Sequence, residues 1–132
     1  MSNADTHTTD SISILVDAAD TITERGKQRE LPNGERSMGR CVQAFNAIYG
    51  TVLSEQQGWQ FMALLKIAQS ASDKALRIDD YIDQSACAAL AGECAARAQS
   101  QALQINRNNE AANTAIDTVR DLLDRKRDSR SL

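Results

Sequence analysis

Residues 54–69 read SEQQGWQFMALLKIAQ, and this stretch decides the fold class. Ser54 carries a side-chain oxygen just ahead of an apolar run, the residue type that caps a helix N-terminus. Behind it Trp59, Phe61, Met62, Leu64, Leu65, Ile67 and Ala68 leave few polar positions, which predicts the most buried helix of the protein. Lys66 is the exception. A strongly hydrated ammonium on so apolar a helix either snorkels to solvent or points into a polar pocket between helices.

Working outward, the same helical reading holds on both sides. Towards the N-terminus, Met38, Cys41, Val42, Phe45, Ile48 and Tyr49 share one side of a helix that should stop at Gly50. Before it, Ile12, Leu15, Ala18, Ala19 and Ile22 recur at helical spacing behind the candidate caps Asp10 and Ser11, and that helix should end near Gly26. Residues 26–35, with the only proline, read as a loop. Towards the C-terminus, a polar link at 70–77 leads to a fourth helix starting near Asp79 or Asp80, whose Ala-rich run SACAALAGECAARAQSQAL permits close helix approach. A fifth helix uses Ala112, Ala115, Ile116, Val119, Leu122 and Leu123, then enters the charged tail DRKRDSRSL. No coiled-coil heptad of useful length stands out. Residues 1–10 are expected to be a disordered leader, 11–127 a single all-α domain and 128–132 a flexible tail.

Composition supports this. The chain has 132 residues, 20 of them Ala, with six Gly and one Pro, so helix is favoured and hairpin turns are few. A chain this short buries only about two-thirds of its unfolded surface, so a partner subunit is expected to complete the core. The net charge of -3 argues against a general binder of nucleic acid or membrane surface. No apolar run of membrane-spanning length occurs and residues 1–10 lack the apolar core of a signal peptide, so a cytoplasmic protein is expected. Cys41, Cys87 and Cys94 form no C-x-x-C pair and read as reduced thiols. The only histidine, His7, lies in the polar leader, which excludes His-dependent triads and His-based metal sites.

Chemistry concentrates in two places. In RIDDYIDQ (77–84), Asp79 precedes Asp80 and Asp83, and the three-residue spacing puts the last two carboxylates side by side on one helix face. Adjacent anions repel unless a cation lies between them, and oxygen ligands of this kind suit Mg2+ or Mn2+. Acidic residues also favour a first helical turn for its dipole alone. Glu35 follows Pro32, Asn33 and Gly34 and has Lys27, Arg29 and Arg36 close by in sequence, an acid for a metal with cations for phosphate. Glu55 is a weaker metal candidate beside the Ser54 cap. Asn33, Asn46, Trp59 and Tyr81 are able to stack on or hydrogen-bond to a purine, and none is assigned that role.

The segments ERGKQRELPNGERSM (24–38), AFNAIYG (44–50), LSEQQGWQFMALLKIAQ (53–69) and DDYIDQSACAALAGE (79–93) together resemble the phage dATP/dGTP diphosphohydrolase family, a branch of the MazG-like all-α nucleotide pyrophosphatases. The likeness spans roughly residues 12–97. It implies a four-helix bundle core, here with an extra C-terminal helix, assembled as a homo-dimer or homo-tetramer. It further implies cleavage of a purine (d)NTP, dGTP or GTP above all, to the monophosphate and pyrophosphate with two or three Mg2+ or Mn2+ ions. In a phage, that activity supplies dGMP, including for 2-aminoadenine DNA. Carried onto this chain, the family's E-x-x-D metal motif resembles Asp80-Tyr81-Ile82-Asp83, with aspartate at its first position, and GERSM matches with Glu35 and Arg36. Lys66 and Gln69 stand where MazG proteins usually carry an E-x-x-E pair.

The expected roles are therefore Glu35, Asp80 and Asp83 on metal, with Asp79 an alternate ligand or a support, and Lys66, Arg36, Lys27 and Arg29 on phosphates. No protein nucleophile is required when metal ions activate water and neutralise the leaving pyrophosphate. Two other readings compete. One is a non-catalytic helical interaction protein. The other is a nucleic-acid accessory protein using Arg125, Lys126, Arg127 and Arg130.

Overall fold

The computed structural model describes residues 9–29, 37–72 and 75–131. Among them the fold is all-α: α1 (Ser11–Arg29), α2 (Ser37–Tyr49), α3 (Glu55–Ser72) and α4 (Ile78–Asp128), with no strand. None of these helices is long and apolar enough to cross a membrane. The chain divides into two compact units, Met1–Ala95 and Ala96–Leu132.

Local chemistry explains the starts of α1 and α3. At α1, Asp10 Oδ1 accepts from the Ser13 amide at 2.8 Å while Ser13 Oγ accepts from the Asp10 amide at 3.1 Å. At α3, Ser54 Oγ accepts from the Gln57 amide at 3.2 Å and Gln57 Oε1 accepts from the Ser54 amide at 2.9 Å, a reciprocal capping box. Between α2 and α3 the chain reverses at Gly50, whose φ of +64° is the left-handed conformation that favours glycine at a helix C-terminus. Asn46 then ties the turn. Its Oδ1 accepts from Thr51 Oγ1 (2.7 Å) and from the Leu53 amide (2.9 Å), and its Nδ2 donates to the Leu53 carbonyl (2.9 Å). A side chain with all these bonds made is a loop clamp, which accounts for Asn46 without a base.

In the first unit, α2 packs against α3 at Gly58, where an added Cβ would lie 2.5 Å from Met38 Sδ and 2.9 Å from Val42 Cγ1. Glycine there is a steric requirement of the helix contact. The core is thin and built mostly of small residues: among the described residues, Ala18, Val42, Ala86, Cys87, Leu90 and Ala91 are the buried hydrophobic ones.

Three expectations are corrected. The helix expected to end near Gly26 continues to Arg29, because one glycine costs a helix only about 1 kcal/mol and Gly26 is buried, where packing supports it. The fourth and fifth helices are one, α4, since 93–128 holds neither Gly nor Pro and its Asn residues are weak helix formers without being breakers. The third correction concerns α3, which has no buried residue. Trp59, Met62, Lys66 and Ser70 are half-buried at helical spacing, whereas Phe61, Leu64, Leu65 and Ile67 are exposed. Apolar residues all round a helix do not say which side faces inward when one chain has too little surface to cover them all.

Candidate functional site

Lys66 lies on the inward side of α3, so of the two fates open to it the structure selects the polar pocket. Its Nζ is 2.9 Å from Asp83 Oδ2, with both side chains about one-fifth exposed (22% and 19%). The other Asp83 oxygen, Oδ1, accepts from Arg25 Nη2 at 3.4 Å. Asp83 is thus shared by cations from α1 and α3.

One turn earlier on α4, Asp80 is 8% exposed, and its Oδ2 is buried with no hydrogen-bond partner among the described residues. A buried carboxylate oxygen left unpaired is costly. Its position in the first turn of a helix recovers only part of that cost.

Two cavities in the first unit meet at this pair. The polar one, about 480 Å3, is lined by Lys66, Gln69, Ser72, Arg77, Asp79, Asp80 and Asp83. The other, about 360 Å3, is mainly apolar: Ile22, Met38, Trp59, Met62, Cys87 and Leu90 are on its apolar wall, with Arg25, Lys66 and Asp83 at its polar part. Lys66 and Asp83 line both. The arrangement offers charged groups to one part of a ligand and an aromatic, sulfur-rich wall to another.

Cys87, beside the pair, is governed first by burial. Burial raises its thiol above the ordinary 9.0, the Asp83 carboxylate raises it further, and Lys66 and Arg25 partly oppose that. It is a neutral thiol and a poor nucleophile.

Of the residues assigned from the sequence, Lys66, Asp79, Asp80 and Asp83 come together around the polar cavity. Lys27 does not line either cavity and pairs with Glu24 at 3.3 Å on the exposed side of α1. Glu55 opens α3 and also lines neither cavity. Arg29 is the last residue of α1. Its side chain, with Glu35 and Arg36, lies outside the described residues. Among the described residues, no group of three or more His, Cys, Asp or Glu side chains is arranged to hold a metal ion. The orphaned Asp80 oxygen nevertheless suits a cation, and Mg2+ commonly takes one or two carboxylates and completes its shell with water and substrate phosphate.

Sequence reading missed Arg25, and it left Trp59 unassigned. Arg25 continues the inward stripe of Ala18 and Ile22, so a cation breaking that apolar periodicity was the available signal. Trp59, at helical spacing on an apolar helix, reads as core sooner than as a cavity wall. Comparison of the chain with known protein families, curated proteins and solved structures finds no match.

Proposed function

We propose that this chain is a divalent-metal-dependent nucleoside triphosphate diphosphohydrolase of the MazG-like class, acting in the cytoplasm on a purine (d)NTP, dGTP or GTP above all. Membrane surfaces and nucleic acid have no part in it. The observation that carries the reading is the junction of the two cavities. Asp80, one of whose oxygens is buried without a partner, and the Lys66–Asp83 pair line a polar cavity, and that pair also lines an apolar one containing Trp59. A nucleotide has the same division, a polyanionic end and a flat apolar base.

In the proposed reaction, water adds to the α-phosphorus as the bond from that phosphorus to the bridging oxygen breaks, and the products are the monophosphate and pyrophosphate. Asp80 and Asp79, with Glu35, would hold Mg2+ or Mn2+, while Asp83, the third ligand expected from the sequence, is given the role of holding Lys66 because both of its oxygens already meet cations. The ions supply a more acidic water and charge neutralisation at the leaving group. Lys66, held by Asp83, presents its ammonium to the phosphates, and Arg25 and Arg36 add guanidinium groups suited to phosphate oxygens. Trp59, Met38 and Met62 receive the base.

The class assembles around a four-helix core, and homo-dimer or homo-tetramer formation is part of the proposal. Phe61 (67% exposed) and Leu64 (62%) on α3 and Ile48 (73%) on α2 support it, because apolar side chains this open are the kind a second copy covers.

The test is chromatographic product analysis after incubation with dGTP, GTP, dATP, dCTP or dTTP, each with Mg2+, with Mn2+ and with chelator. Conversion of dGTP to dGMP without dGDP, only in the presence of metal, is the expected result. Absence of conversion with every nucleotide refutes the proposal and moves the reading to a helical interaction protein, which the exposed apolar residues also suit.

A further inference from the structure

We infer that residues 96–128 of α4 are a self-association element whose occupant is the same segment of a second copy of this chain. The inference concerns the second unit: it is independent of the catalytic reading and adds to the proposed assembly a surface distinct from the α2 and α3 side chains named above. Every residue of 96–131 is exposed. A lone helix of this composition is marginal in water, because helices in proteins draw most of their stability from a packed face.

The segment has such a face. Ala98, Ile105, Ala112 and Val119 recur at intervals of seven, flanked on the same side by Ala115, Ile116, Leu122 and Leu123. A strict seven-residue spacing keeps one seam aligned along a pair of supercoiled helices. The large members are more than half exposed: Ile105 58%, Ile116 55%, Val119 55%, Leu122 58% and Leu123 62%. Leu103, at 53%, falls on the opposite side and takes no part. The repeat is diluted by alanine and asparagine, so it is inconspicuous in the sequence. It becomes legible once 78–128 is seen to be one helix.

Charge and area favour a second copy over an unrelated partner. Between 98 and 123 every charged residue, Arg107, Glu110, Asp117, Arg120 and Asp121, lies off the seam. Asp117 and Arg120 satisfy each other at 3.1 Å. A partner therefore needs no complementary charge. The polar residues bordering the seam, Gln101, Asn108 and Asn109, are amides that both donate and accept, so each is complementary to its own copy. At about 100 Å2 for each large side chain and less for each alanine, a face-to-face pair removes on the order of 1,200 Å2 from water, the lower limit for a stable specific interface.

The test uses the full-length chain in sedimentation equilibrium from a few micromolar to about 100 µM, without nucleotide or metal. Wild type is expected to be oligomeric at the upper end. Val119→Glu with Leu122→Glu should raise the dissociation constant at least tenfold, with Trp59 fluorescence unchanged to show that the first unit is intact. Thr114→Glu, off the seam, and the conservative Val119→Ile with Leu122→Met should both preserve the wild-type mass. A monomeric wild type throughout, or the same mass distribution in the double-Glu variant, overturns the inference.

Discussion

Replacing Asp83 by Asn removes the anion that holds Lys66, and the geometry sets the size of the effect. At 2.9 Å two unit charges attract by about 6 kcal/mol at an effective dielectric near 20. Most of that is cancelled by removing both ions from water. With each side chain about one-fifth exposed, the pair lies between surface bridges, worth under about 1 kcal/mol, and fully buried ones, whose disruption costs about 3–5 kcal/mol. We therefore expect Asp83→Asn to destabilise the first unit by about 2 kcal/mol, close to 10 °C in Tm. Lys66→Met should cost less, because it leaves a carboxylate that Arg25 still reaches. The double variant should recover part of the loss, for a coupling energy of about 2 kcal/mol. Equilibrium urea denaturation followed through Trp59, the only tryptophan and itself part of the cavity wall, measures all four corners of the cycle. A coupling energy below about 0.5 kcal/mol would refute the claim that Asp83 anchors Lys66. Arg25 is 62% exposed in its pair, so Arg25→Ala should cost no more than about 0.5 kcal/mol.

Three other perturbations read different parts of the structure. Asp80→Asn removes a charge whose buried oxygen has no partner. Without divalent ions it should stabilise the protein by about 1 kcal/mol, the relief of a buried charge less the cost of an amide that stays unpaired and the lost helix-dipole term. With Mn2+ it should show none of the Tm rise expected of wild type. Lower stability in metal-free buffer would count against this account of Asp80. Cys87 has its thiol raised above 9.0, so the folded state holds a proton that the unfolded state releases first. Its contribution is intact below about pH 9 and is lost as pH rises towards the folded value. Chemical denaturation at pH 8 to 11 should show that loss in wild type and a smaller one in Cys87→Ala, while exposed Cys41 is alkylated first. Gly58→Ala places a Cβ 2.5 Å from Met38 Sδ and 2.9 Å from Val42 Cγ1. Overpacking of about 1–3 kcal/mol should outweigh the helix-propensity gain of about 1 kcal/mol. A more stable variant would show that α2 and α3 separate freely.

What the sequence by itself determined was local. Ser54 and Asp10 announce helix starts because a side-chain oxygen satisfies free amides within three residues, and Gly50 announces a stop because its backbone is left-handed. The pairing of Asp80 with Asp83 on one helix face likewise follows from 3.6 residues per turn. Tertiary structure decided what periodicity leaves open. Whether Lys66 faces solvent or a cavity depends on where α1 and α4 bring Arg25 and Asp83, residues distant from it in sequence. Which side of α3 turns inward was equally unreadable, since its apolar residues surround the axis and only packing against Met38, Val42 and α4 breaks the tie. The difference between the two carboxylates is also tertiary: Asp83 meets two cations, while Asp80, three residues away, is enclosed without one. Spacing along a helix fixes direction relative to the axis, whereas desolvation and pairing depend on which groups the fold brings from elsewhere in the chain.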